Sequence, residues 1–381
     1  MAKETIFKNG KIVLRDRVIK GDVVVRDTII ADVNNTSTQI KNTIDLEGDY
    51  LLPGLIELHT DNLEKHIHPR PGVRWPTTAA LLAHDSQVIG AGITSVFDAL
   101  AVGDVRDDSA RLQDLEETAN AINNAYQTNF LRADHYLHLR CEVSCNRLTD
   151  MFGPLAKRKM VRLISMMDHT PGQRQFLDPE QYKSYYAHKW GKSLSEIDEF
   201  IQRQTVEGNR HSVANRALIS AHCQTHGIPL ASHDDASQEH IEEAMGLGVT
   251  IAEFPTTVVA ARVARELGLE VVVGAPNLVC GGSHSGNVAA AEMIADGLVT
   301  TLSSDYVPLS LLHGVFRLSK PEIGLSLPQA VACASAVPAR TVGFTDRGEI
   351  AVEHLADLVR VQILGDLPII AGVWRNGERV A

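Results

Sequence analysis

Hydrophobic and polar positions divide the chain into three textures. From residue 5 to 50, short runs rich in β-branched residues (Ile6-Phe7, Lys11-Ile12-Val13-Leu14, Asp22-Val23-Val24-Val25 and 28–33) are separated by Asn9-Gly10 and Arg26-Asp27, the punctuation of tight turns. A similar texture returns at 348–350, 356–361 and 371–380. Chain ends usually lie near one another, so the two segments are expected to form one discontinuous, small β-sandwich domain from 1–50 and 346–381. Between them, 51–345 alternates apolar strand-like runs with helical stretches, the pattern of an α/β protein with a parallel sheet. Eight runs are present, at 51–58, 94–97, 136–141, 161–167, 229–232, 249–252, 269–274 and 298–303. Eight is the number that closes a (β/α)8 barrel, a TIM-like fold. Helical periodicity marks 108–127, carrying Leu112, Leu115 and Ala119, and 237–247, which runs from Ser237 to a Gly246/Gly248 stop.

Such barrels carry their chemistry at the C-terminal ends of the strands. The first run ends in His59-Thr60-Asp61, where His59 and Asp61 share one side of a strand and Thr60 points away. Later runs end in Cys141-Glu142, Asp168-His169, His233-Asp234-Asp235 and Ser304-Asp305. Each alone is equally a polar cap at a sheet edge. Together His59, Asp61, Glu142, His169, His233 and Asp305 form a nitrogen and oxygen donor set large enough for two divalent ions, with Zn, Mn and Fe all suited to it. Glu142 is best placed to bridge two ions, and metals at such a set lower the pKa of water enough to make a nucleophile.

Composition narrows the class. Hydrophobic content of 44% with 22% charged residues describes a soluble globular protein, and no apolar run approaches the roughly 20 residues that span a bilayer. Residues 1–5 lack the apolar core of a signal peptide, so a cytoplasmic location without membrane contact is expected. A net charge of -11 argues against nucleic-acid binding and requires that any anionic substrate meet local positive charge. Five cysteines without a C-x-x-C pair point to buried free thiols.

The lead-in Pro53-Gly54-Leu55-Ile56-Glu57-Leu58-His59, the split β domain and the acid at the eighth strand resemble the amidohydrolase superfamily. More narrowly, 59–66, Pro69-Arg70-Pro71-Gly72-Val73, 168–175, Ser232-His233-Asp234-Asp235, Ala252-Glu253-Phe254-Pro255-Thr256 and 281–287 resemble the PhnM family of α-D-ribose 1-methylphosphonate 5-triphosphate diphosphatases of the carbon-phosphorus lyase pathway, along nearly the whole chain. Asp61 in place of the second histidine of the usual H-x-H fits that branch. Cys280 stands where the family pattern leads us to expect an arginine. The resemblance implies hydrolysis of a small-molecule triphosphate between its α and β phosphates, releasing pyrophosphate in phosphonate degradation.

Under that reading Asp305 is the candidate base. Lys65, Arg70 and above all Arg174 lie just beyond ligand-bearing strand ends, where a guanidinium fork takes phosphate oxygens or, alternatively, forms a surface ion pair. Gly281, Gly282, Ser283, His284 and Ser285 form a hydroxyl-rich loop before a helix expected at about 287–296, whose free N–H groups bind an anion if the loop is not simply a connection. The aromatic stretch 176–190 is either a lid or a surface packed against a neighbouring subunit of a homo-oligomer, and His211, His222 and His226 read as surface or packing residues. Two other functions compete: hydrolysis of a cyclic amide or imide, as by a hydantoinase or dihydroorotase-like enzyme, and a catalytically inactive barrel that serves as an assembly subunit.

Overall fold

The strands Tyr50–Pro53 and Leu55–Thr60 follow one another in sequence but belong to different sheets, and Gly54 is the point of passage. A Cβ there would collide with Thr94 Oγ1, while its N–H donates to Asp357 O at 2.8 Å, so only glycine fits this close approach. The apolar run at 51–58, expected as one strand, is therefore divided. Its first half joins the terminal sheet, and the boundary between the two units falls at Gly54.

The computed structural model describes residues 3–34, 43–105, 109–174, 179–283 and 287–381, with only the backbone course for Pro179, Gln181, Ser184, Tyr185, Lys189 and Trp190. In chain order the strands are β1 (Glu4–Val13), β2 (Val18–Arg26), β3 (Ile29–Asn34), β4 (Ile44–Asp45), β5 (Tyr50–Pro53), β6 (Leu55–Thr60), β7 (Ile93–Val102), β8 (Asp134–Glu142), β9 (Val161–Met167), β10 (Leu230–His233), β11 (Ile251–Glu253), β12 (Glu270–Gly274), β13 (Thr301–Ser303), β14 (Leu358–Leu364), β15 (Leu367–Arg375) and β16 (Glu378–Arg379). The terminal strands make a separate sheet in the order β16-β15-β14-β5-β1-β2-β3, with β4 beside β1. It encloses its own core, in which Phe7 meets Trp374 edge-on at 4.9 Å between ring centroids.

Strands β6 to β13 pair in parallel and in sequential order. A parallel bridge between Thr60 and Asp305 joins the last strand end to the first, giving a nearly closed barrel. Ile56, Leu58, Phe97 and Tyr136 pack with Val342 and Phe344, so the barrel is filled beneath its mouth. Helices cover the outside. Leu194–His226 starts in a capping box between Ser193 and Glu196 and stops at Gly227 in the left-handed region, which supplies the C-terminal turn. The helix expected near 287–296 is shorter, Ala290–Ala295, and the N–H of Ala290 donates to Asn277 Oδ1 at 3.0 Å. Its first donor is thus engaged by the chain itself.

In the aromatic stretch, Tyr182 and Tyr186 lie on the helix Pro179–Trp190 and are buried against Ile197 and Phe200, within the chain itself. Phe176 falls outside the described residues. Four of the five cysteines are buried, Cys280 being the exposed one. No helix among the described residues is long and apolar enough to cross a membrane.

Candidate active site

A cavity of about 1230 Å³ opens at the C-terminal ends of the barrel strands. His59, Asp61, Glu142, His169, His233 and Asp305, which come from five strand ends, all line it. Asp168 does not; its carboxylate accepts from Arg216 at 2.6 Å.

The backbone at the mouth is strained where the chain leaves the barrel. Asp234, Phe254 and Asp305, immediately beyond β10, β11 and near the end of β13, all take positive φ (58°, 55° and 52°). Each such non-glycine residue costs about 1–3 kcal/mol, and the inter-strand bonds Asp234 N to Glu253 O and Phe254 N to Val272 O, both 2.9 Å, hold two of them in place.

Two side-chain assemblies occupy the cavity wall. In one, Glu142 Oε2 lies 2.5 Å from His169 Nδ1 while Ser144 Oγ donates to its other oxygen at 2.5 Å. In the other, the two oxygens of Glu253 each lie 2.8 Å from an imidazole Nδ1, one of His59 and one of His233. His59 Nδ1 nevertheless lacks the alignment of a hydrogen bond and is a buried nitrogen without a hydrogen-bond partner. His138 is close to His59 and Glu253, but its Nδ1 donates to Leu58 O at 3.0 Å and its Nε2 accepts from Ser165 Oγ at 2.8 Å, so both ring nitrogens are engaged. Beneath them, buried Glu57 accepts from His59 N at 2.7 Å and from Ser304 N at 2.5 Å, stitching β6 to the end of β13.

Burial sets the charge states. It drives His59 well below the usual imidazole value and His233 down to about 3, so both are neutral at pH 7, the form that binds a metal. Burial, followed by the neighbouring Asp61 carboxylate, pushes Asp305 up to about 7. Burial also raises Glu57 to about 7. An orphaned buried nitrogen, neutral imidazoles and several carboxylates converging on one cavity are the donor chemistry that fits divalent ions.

The expected cations are distributed differently. Lys65 lines the cavity, with Nζ 2.5 Å from Tyr306 O and 4.8 Å from the centre of its ring. Gly281, Gly282 and Ser283 also line it, whereas His284 and Ser285 lie outside the described residues. Arg70 is exposed and off the wall, in a bridge with Val73. Arg174 is off the wall too: it is buried and ion-paired with Asp235 and with Glu243, the latter at 3.0 Å. Two carboxylates already occupy its fork, so the expected catalytic and phosphate-binding role does not match its position. Arg111 and Arg140 face the cavity instead, 3.8 Å and 4.0 Å from Asp61 Oδ2. Arg140, like His138, alternates with Glu142 along β8, a period-two signal readable in the sequence; Glu253 stands one residue beyond the run at 249–252. Arg111 carries no comparable local signal.

Comparison with known proteins agrees with this architecture. The amidohydrolase family profile matches residues 195–367. The α-D-ribose 1-methylphosphonate 5-triphosphate diphosphatase of Escherichia coli (strain K12) is 44% identical over 376 residues, covering 98% of this chain and 100% of that protein. Among solved structures, a Xaa-Pro dipeptidase with bound methionine superimposes with a TM-score of 0.68 at 14% identity, over 99% of both chains. The N-acetylglucosamine-6-phosphate deacetylase of Pasteurella multocida gives 0.63 at 15% identity, over 100% of both; at such identities the likeness shows the fold alone. Identity along the full length of the E. coli protein, on a barrel of this type, places the chain in the α-D-ribose 1-methylphosphonate 5-triphosphate diphosphatase family of the amidohydrolases.

Proposed function

We propose that this chain hydrolyses α-D-ribose 1-methylphosphonate 5-triphosphate to the 5-phosphate and pyrophosphate. The 44% identity that spans the whole of the E. coli diphosphatase carries this reading. Water adds across the anhydride between the α and β phosphates: a new P–O bond forms, the bridging P–O bond breaks, and pyrophosphate leaves with the bridging oxygen.

His59, Asp61, Glu142, His169, His233 and Asp305 would hold two divalent ions, Zn, Mn or Fe, which would supply Lewis-acid charge to the phosphoryl oxygens and acidify water. The chain's own residues do the rest. Asp305, on the cavity wall beside Asp61, takes the proton of the attacking water on its carboxylate. Glu142 holds His169 in one orientation, and Glu253 does the same for His233. Lys65 and the Gly281–Ser283 backbone offer donors to the phosphate chain at the rim.

Phosphorus NMR of the metal-loaded protein tests the reading. Addition of the ribose 5-triphosphate phosphonate should produce pyrophosphate and a single 5-phosphate resonance, with ATP or GTP as a separate comparison. Absence of pyrophosphate together with ring opening of dihydroorotate or hydantoin would sink it and favour the cyclic-amide alternative.

A further inference from the structure

Arg140 is a buried cation without a hydrogen-bond partner among the described residues. The residue is 9% exposed, its Nε has no partner, and its nearest charge is Asp61, whose Oδ2 lies 4.0 Å from Nη1, beyond hydrogen-bond length. Other buried or nearly buried arginines of this chain are differently placed: Arg216 donates to Asp168 at 2.6 Å and Arg347 to Asp134 at 2.8 Å. A guanidinium stays charged at any pH the protein meets, and burying its Nε donor unmet is costly. Arg140 bears that cost on the wall of the cavity. An incoming anion would complete the arrangement.

We propose that Arg140 is the principal phosphate-binding arginine of this site, forking two nonbridging oxygens of a phosphoryl group in the polyphosphate chain. The proposal rests on the diphosphatase reading in one respect: Asp61, once committed to a metal ion, no longer balances Arg140. Along β8, Arg140 lies two residues before Glu142 and so on the same face, which puts its fork beside the reacting group. Arg111 flanks Asp61 as well, but Glu64 engages its Nε at 2.9 Å and its Nη2 at 2.8 Å, so it is oriented and partly neutralised by the chain itself. It is the secondary contact. A fork of this kind discriminates for phosphoryl oxygens over an uncharged imide ring, because two parallel charge-assisted bonds require a planar pair of anionic acceptors.

Calorimetric titration of the metal-loaded enzyme with inorganic pyrophosphate tests the proposal, in wild type, Arg140→Met, Arg140→Lys and the surface control Lys320→Met, with metal content checked by elemental analysis. At full metal content, Arg140→Met should weaken pyrophosphate binding by about tenfold to a hundredfold. Arg140→Lys should recover only part of this, and Lys320→Met should match wild type. A residue that merely positions Asp61 would instead change metal content and leave pyrophosphate affinity intact. Should Arg140→Met not fold, Arg140→Lys decides: intermediate affinity supports the fork, and wild-type affinity overturns it. Unchanged affinity in a folded Arg140→Met overturns it equally. If wild type releases pyrophosphate from the triphosphate but its affinity ignores Arg140, the fork alone fails. If wild type is inert towards the triphosphate while pyrophosphate binding depends on Arg140, the diphosphatase reading fails and the anion site stands.

Discussion

Asp305 combines three constraints in one residue: positive φ, a partly buried carboxylate, and a neighbouring acid in Asp61. Its backbone carbonyl accepts from Thr60 Oγ1 at 2.6 Å, so the residue also closes the barrel. Asp305→Asn keeps the size and the closing bond but removes the basicity. Compared at equal metal content, read by elemental analysis, turnover of the triphosphate should fall roughly 10²-fold or more. Near-normal turnover at full metal content would reduce Asp305 to a structural residue. The arginines teach the complementary lesson. Arg174, five residues after His169, sits near the site in sequence yet spends its fork on Asp235 and Glu243, which are 61 and 69 residues away along the chain. Proximity in sequence to a ligand says little about a long side chain whose competing partners come from other elements.

At the scale of elements, a buried polar network fastens the helix Thr77–Gly90 to β7 and β8. Asp98 accepts from His84 Nε2 at 2.8 Å and from His135 Nδ1 at 2.7 Å; His84 Nδ1 in turn accepts from Asn62 Nδ2 at 3.0 Å, one residue after Asp61. Burial opposes charge on His135, but Asp98 and Asp85 outweigh it and raise the imidazole to about 9. Burial likewise opposes charge on Asp98, but His135 outweighs it and holds the carboxyl at about 2. The signs of the two linkages are opposite. The raised His135 contributes stability that is complete below its unfolded value of 6.5 and is lost as pH rises through about 9. The depressed Asp98 contributes stability that is present above its unfolded value of 3.8 and is lost as pH falls through about 2. Asp98→Asn should therefore destabilise by about 3 kcal/mol or more between those unfolded values, because it leaves His135 without its main counter-charge. Denaturant unfolding across pH checks this: the gap between wild type and variant should narrow as pH rises through 9, and a gap independent of pH would remove the ion pair as its cause.

At the scale of the whole molecule, the terminal sheet and the barrel are joined by charge as well as by the Gly54 passage. Arg347 donates to Asp134 at 2.8 Å and to Ser95 Oγ at 3.0 Å, and Arg375 reaches the other oxygen of Asp134 at 3.2 Å. Both arginines come from the C-terminal segment, while Asp134 and Ser95 lie on β8 and β7 at the end of the barrel away from the cavity. Arg347→Ala should cost about 2 kcal/mol, less than a fully buried pair because Asp134 is partly exposed and keeps Arg375. Thermal unfolding is the measure, with Lys3→Ala as the control: its pair with Glu378 is exposed on both sides and should leave stability unchanged. Equal melting temperatures for wild type and Arg347→Ala would show that apolar packing alone holds the units together.

The alternation of apolar runs and helical stretches made the barrel legible from sequence, and the period of two along each strand brought out its acid and histidine ends. Both are local: a strand's neighbours two residues apart share a face whatever the rest of the chain does. Tertiary structure decided the remainder. It assigned the first half of the run at 51–58 to another sheet, because pairing with β1 and β14 competes with barrel pairing and Gly54 permits the turn between them. It also chose which cations face the cavity, leaving Arg140 beside Asp61 without a hydrogen bond and drawing Arg174 into its own carboxylates. That choice depends on which distant side chains the closed barrel brings within a few ångströms, where Coulomb energy in a poorly screened interior outweighs any preference encoded in neighbouring residues.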